Sequence, residues 1–171
     1  MSLAIVTGGS RGLGFETARA LKEQGHEVLL IAKDPERLAA VAAKLNCQFR
    51  AVNILGAAMA EARDGRIIVF SACLGRMSGP GNTGGLAPYR ISKAGVNALV
   101  RNLAHETNHG TRGLLVDAVC PNHTRTDMGG PDAPLSVEEG ADTAIWLATR
   151  DFDPSVDQTG FLWEEREVIP W

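Results

Sequence analysis

Tyr89 and Lys93 stand four residues apart in the segment YRISK, the separation that puts two side chains on one face of a helix. An ammonium beside a phenol favours the phenolate, which brings a tyrosine within reach of acid–base work near neutral pH. A second pattern opens the chain: Thr7-Gly8-Gly9-Ser10-Arg11-Gly12-Leu13-Gly14. Glycines at 8, 12 and 14, between a short apolar run and a helical pattern, answer a specific demand. The chain must turn sharply, let a pyrophosphate approach its backbone and aim helix amides at it. Ser10, Arg11 and Leu13 join Gly8, Gly12 and Gly14 as candidate dinucleotide contacts. The second apolar run ends Ile31-Ala32-Lys33-Asp34. A ribose 2′-phosphate calls for a cation at that point, and a 2′-hydroxyl for a carboxylate. Lys33, with Arg11, favours NADP(H) over NAD(H), and Asp34 is read as a helix cap.

A third pattern competes. His105-Glu106-Thr107-Asn108-His109 is HExxH, which on a regular helix suits a zinc hydrolase. It falls directly before Gly110, where helices fray, and a histidine at a helix C-terminus is favoured by the helix dipole without a metal. No metal site is therefore expected.

These groups need elements to hold them. Apolar runs predict strands at 3–6, 27–32, 48–54, 66–71, 114–119 and 160–163. Helical patterns fall at 12–25, 35–45, 56–62, 89–109 and 136–149. Asp34 followed by Pro35 is a cap with proline at the first helical position, and Ser136 with Glu139 is a capping box. The alternation predicts an α/β fold: a Rossmann-type, doubly wound, mostly parallel sheet of about six strands in the order 3-2-1-4-5-6, with helices on both faces. The third strand must reach the fourth across two others, about 14 Å at the usual strand spacing. The short 56–62 helix makes that closure tight.

Composition narrows the function classes. In 171 residues, 44% hydrophobic and 22% charged, the chain reads as one dinucleotide-binding domain over 1–171. A formal charge of −3 gives no basic excess for nucleic acid, and no apolar run approaches a membrane span. No leader pattern precedes the first strand. Three scattered cysteines, Cys47, Cys73 and Cys120, suggest no disulfide framework and a cytoplasmic setting.

The segments TGGSRGLG, RIIVFSA, YRISKAGVNAL and PNHTRTDM, with PDAPLSVEEGADTAIWLAT and the closing IPW, resemble the short-chain dehydrogenase/reductases, in particular their carbonyl-reductase-type members. The resemblance implies NADP(H)-dependent interconversion of a small ketone or aldehyde with an alcohol. Tyr89 would be the proton donor, and Lys93 would tune it and hold the nicotinamide ribose. A serine would orient the carbonyl. The second serine of the family's strand-end pair is Ala72 here; Ser71 or Ser78 would serve in its place, although a regular strand turns Ser71 to the other face, or Ser71 is structural and the site lacks its serine. Asn122 replaces a family glycine and tolerates left-handed angles; with Thr124 and Thr126 it would cover the nicotinamide. Asn53 reads either as an adenine contact or as the family's proton-relay asparagine. The family's NNAG strand is missing between the third strand and RIIVF, which implies an internal deletion. A catalytically impaired cofactor-binding or interaction remnant is the alternative. His123 lines the site or is a solvated loop residue. The loops 79–86 and 129–134 would shape the substrate pocket. The segment FLWEEREVIPW is either a homo-oligomer surface or a tail whose Trp171 folds back on the core.

Overall fold

The computed structural model describes residues 3–32, 34–50, 65–153 and 155–171. Its strands are β1 (Leu3–Thr7), β2 (Glu27–Ile31), β3 (Gln48–Arg50), β4 (Gly65–Phe70), β5 (Leu114–Val119), β6 (Leu162–Glu164) and β7 (Glu167–Ile169). They form one sheet in the order β3-β2-β1-β4-β5-β6-β7. The first six are parallel, in the order the sequence predicts, and β7 adds antiparallel to β6. Every position of β5 is buried, as a parallel strand covered on both faces requires. Registration is uneven. β1 meets β2 at five residue pairs and β4 meets β5 at six, whereas β1 meets β4 only at Ala4–Arg66 and Ile5–Ile67.

The seventh strand corrects the six-strand expectation. Its turn is Glu165-Arg166, with φ of 51° and 63°. Two-residue hairpin turns with positive φ at both positions normally announce themselves with Asn or Gly, and this one does not. Tertiary contacts hold it instead. The Arg166 guanidinium donates to both carboxylate oxygens of Asp142 at 2.8 and 2.6 Å, and its backbone N–H donates to Thr143 Oγ1 at 3.2 Å. The far end of the predicted third strand, the 56–62 helix and the crossover lie outside the described residues.

Four helices are described: α1 (Gly12–Glu23), α2 (Pro35–Leu45), α3 (Ala87–Glu106) and α4 (Val137–Thr149). Asp34 caps α2 by accepting from the Arg37 N–H at 3.0 Å, and Ser136 with Glu139 forms the capping box of α4. α1 starts from Arg11 with no side-chain cap. α3 starts two residues before the predicted Tyr89 and ends at Glu106, short of the predicted 109. His109 has φ 48° and ψ 44° and is not helical.

α1, α2 and α4 cover one side of the sheet. Ala18 and Leu21 of α1, Leu38 and Ala42 of α2 and Ala148 of α4 share a core with β1 and β2. α3 covers the other side, with Val100 and Ala104 against β4 and β5. Each fully buried leucine in these layers contributes about 2 kcal/mol by leaving water. Asp117, in the middle of β5, is 2% exposed and needs partners. Its Oδ1 accepts from the N–H groups of Gly160 and Phe161 and from Trp163 Nε1, at 3.0–3.1 Å. Arg150 lies 3.7 Å away and stacks over Trp163 and Trp146. Trp171 folds back beside the α3 core, with the Arg101 guanidinium over its ring. No helix among the described residues is long and apolar enough to cross a membrane.

Candidate active site

The carboxyl ends of β1, β4 and β5 open into a trench, where ligands sit in open α/β sheets. Three hollows run into one another. An outer one of about 440 Å³ is lined by Gly8, Ser10, Arg11, Ala32, Asp34 and Arg37. The central one, about 390 Å³, takes its floor from Gly8, Gly12, Leu13 and Gly14 and its wall from Ser71, Tyr89, Lys93 and Thr126. The inner one, about 580 Å³, is lined by Ala72, Cys73, Tyr89, Cys120, Asn122, His123, Thr124 and Met128, among others. The sequence candidates thus meet in one place, apart from Ser78, which lines none of these hollows, and from Lys33 and Asn53, which lie outside the described residues. Arg37, which sequence reasoning missed, lines the outer hollow. Its signal was a second cation one helical turn past Lys33.

The floor is backbone. A Cβ on Gly14 would stand 2.4 Å from the Gly8 carbonyl oxygen, so only glycine lets the start of α1 pack on the loop. Gly8 has φ +69°, and a Cβ there would meet nothing within 4 Å, so the loop's concave side stays clear. The first turn of α1 has neither a side-chain cap nor an acidic residue. Its amides and dipole suit an anion such as a pyrophosphate. Arg11 reaches across the mouth to Asp127, 3.3 Å away. A dinucleotide fits this donor set: phosphates at the amides, and a 2′-phosphate near Arg11 and Arg37.

The wall is side chain. Lys93 Nζ lies 5.7 Å from the centre of the Tyr89 ring and donates to the Phe70 carbonyl at 2.9 Å. Burial pushes the Tyr89 phenol above its ordinary value, and the nearby Cys120 and Cys73 push it the same way. Burial also pulls the Lys93 ammonium down. The lowered phenol that the spacing alone predicts is therefore outweighed by desolvation.

Ser71 sits at the end of β4, its N–H bonded to the Val119 carbonyl at 2.8 Å. It is 2% exposed, and its hydroxyl donates to Asn97 Oδ1 of α3. Asn97 in turn donates to the Gly75 carbonyl at 3.1 Å. This chain ties β4, α3 and the turn Cys73–Gly75 together and explains why both residues are polar and buried. Ser78 donates to the Trp171 carbonyl at 3.4 Å. Asn122 adopts the left-handed φ of 58° its position demands. The Thr124 hydroxyl donates inside its own loop, to the Pro121 carbonyl at 2.9 Å. His123 both lines the inner hollow and stays exposed.

HExxH does not assemble. The His105 and His109 rings meet edge to face at 5.7 Å, and the left-handed backbone at His109 breaks the register that zinc would need. The described residues instead bring together Cys73, Cys120 and Glu164, a grouping with no sequence motif. The Cys73 N–H donates to Cys120 Sγ at 3.1 Å, and burial pushes the Cys120 thiol up to about 12.

The family profile "short chain dehydrogenase" matches residues 2–57 and 45–134. Over 85 residues the chain is 41% identical to carbonyl reductase (NADPH) 1 of Mus musculus, an alignment covering 48% of this chain and 30% of that protein. Over the same length it is 50% identical to the Oryctolagus cuniculus counterpart, again 48% of this chain and 30% of that one. The stretch aligned is thus under a third of the length of these curated relatives. Among solved structures, carbonyl reductase Sniffer of D. melanogaster superposes with a TM-score of 0.74 at 17% identity, covering 99% of each chain. An actinorhodin polyketide ketoreductase with NADPH superposes at 0.71 and 18% identity, covering 96% of this chain and 95% of that one.

Proposed function

The chain belongs to the short chain dehydrogenase family, and on that premise we propose that it binds NADP(H) and interconverts a small ketone or aldehyde with its alcohol. The observation that carries this reading is the placement of Tyr89 beside Lys93 in a trench continuous with the glycine floor. The names of the mouse and rabbit relatives agree with it.

When held here, a nicotinamide would supply hydride to the carbonyl carbon or, in the reverse direction, take it from the alcohol carbon. The chain does the rest. Gly8, Gly12, Leu13 and Gly14 seat the pyrophosphate on the amides of α1, with Ser10 beside them. Arg11 and Arg37, which line the outer hollow, would take the 2′-phosphate, and Lys33 is proposed from its sequence position to join them. Asn122 and Thr126 cover the nicotinamide side, and Thr124 props their loop. Asn53 is kept as a cofactor-site candidate on its sequence position alone, either as an adenine contact or as the relay asparagine. The substrate oxygen points at the Tyr89 hydroxyl, which gives up its proton as the carbonyl becomes an alcohol. Lys93 holds positive charge next to the phenolate left behind and reaches the ribose. Ser71 buttresses the wall through Asn97 rather than touching the substrate, and Ala72 fills the place where the family's orienting serine stands. The missing NNAG segment falls between β3 and β4. The three cysteines, all free, fit a cytoplasmic setting.

Because burial raises the Tyr89 pKa, the proton-donating phenol persists through neutral and mildly alkaline pH. Carbonyl reduction is expected to stay level from pH 6 to 9, and alcohol oxidation, which needs the phenolate, to climb toward pH 10 (both taken from the ordinary tyrosine value of about 10). An oxidation rate already level at pH 7 would contradict this.

A second reading, cofactor binding without turnover, is favoured by Ala72 and the committed Ser71 hydroxyl. Titration with NADPH and NADH, followed by a ketone-dependent NADPH consumption assay, separates the two. Saturable NADPH binding with turnover supports the first, and binding without turnover the second. No binding of either nucleotide removes both.

A further inference from the structure

Cys73, Cys120 and Glu164 come from three separate elements: the turn after β4, the residue following β5 and the last residue of β6. We infer that they form a binding site for a thiophilic divalent cation, of the Zn²⁺ or Cd²⁺ class, on the inner wall of the trench. One ligand atom from each lies within 4.8 Å of the others. A tetrahedral centre with bonds of about 2.3 Å to sulfur and about 2.1 Å to oxygen sets its donors roughly 3.5–3.8 Å apart. Closing the site therefore takes about 1 Å of contraction on these bond lengths, within reach of side-chain rotation.

The sheet brings the donors together without any help from a ligand. β5 and β6 are registered at Val119–Trp163, and the Cys120 N–H donates to the Trp163 carbonyl at 2.8 Å. That register sets Cys120 beside Glu164. The Cys73 N–H already donates to Cys120 Sγ, a bond that persists when the sulfur becomes a metal-bound thiolate. Each thiol loses its proton to solvent as its bond to the metal forms. Both cysteines also line the inner hollow, so the fourth position opens to solvent and takes a water. Two thiolates and a carboxylate are a soft, doubly sulfur-weighted set that excludes Mg²⁺ and Ca²⁺.

The test is a Cd²⁺ titration of reduced, chelator-treated protein, read by the ultraviolet thiolate-to-metal band. One equivalent should saturate the band. Cys73→Ala and Cys120→Ala should each abolish that saturation, and Glu164→Gln should weaken affinity about tenfold or more, as loss of an orienting or ligating group does. Cys47→Ala, in the link between α2 and β3, should leave it unchanged. Circular dichroism checks that each variant folds; should a cysteine variant fail, the Glu164→Gln affinity decides. The inference is overturned by a wild-type protein without a saturable band, by a full band in either Cys73→Ala or Cys120→Ala, by its loss in Cys47→Ala, or by unaltered affinity in Glu164→Gln.

Discussion

The floor and the wall of the trench are built on opposite principles. The floor, from β1 into α1, presents backbone: Gly8 and Gly14 lack side chains, and α1 leaves its first turn without a side-chain cap. The wall, from β4 and α3, works through side chains whose protonation and direction matter: Tyr89, Lys93 and the residues that prop them. A floor of this kind tolerates much sequence change as long as its glycines stay. A wall can lose its chemistry through one substitution. On the proposed function, binding and turnover are therefore separable, and each can be broken alone.

Removing the phenol is the largest single blow to the wall. Tyr89→Phe is expected to cut carbonyl reduction by about 10²–10⁴-fold, the usual worth of a positioned general acid. NADPH affinity should stay within about twofold, since the floor is untouched. Steady-state kinetics with a binding titration checks both, and lost affinity would mean that the two surfaces are not independent. Gly14→Ala is the matching blow to the floor. A methyl 2.4 Å from the Gly8 carbonyl forces the loop apart. Strain of about 2–3 kcal/mol, typical of overpacking, translates to NADPH weakened roughly 100-fold. Fluorescence titration reads this, and a folded Gly14→Ala protein with unaltered affinity would contradict a backbone-built floor.

Arg37→Ala sharpens the picture within the floor. It should weaken NADPH about tenfold, the worth of one charge-assisted hydrogen bond, and leave NADH unmoved. Equal weakening of both would place Arg37 at the adenine ring or the fold instead. The smallest expected effect runs the other way. Ala72→Ser adds a donor beside Tyr89 in the inner hollow and should raise kcat about fivefold, the equivalent of about 1 kcal/mol. A fall in kcat would show that residue 72 is packed rather than facing substrate.

Much of this arrangement is legible in the residues. The glycine loop, the capped starts of α2 and α4, the order of the first six strands and the Tyr89–Lys93 pair all rest on local spacing, which sequence displays directly. What was missed depends on the third dimension. β7 follows a turn of two charged residues held by Asp142, not by turn chemistry. Cys73 and Cys120 are 47 residues apart and meet only through the β4–β5 ladder. The direction of the Tyr89 shift needed burial, which spacing does not report. The fraying expected of HExxH before Gly110 is, by contrast, readable in the residues, and the left-handed backbone at His109 is its form.

The short junction between β1 and β4, registered at two residue pairs, lies directly under this trench. Floor and wall belong to opposite sides of it. Among the described strands the β5–β6 junction is equally short, but the β1–β4 junction is the thin line that a dinucleotide would span. Such a molecule would act as a staple across a seam. It would slow amide hydrogen exchange in β1 more than in β5, which is paired to β4 at six positions without it.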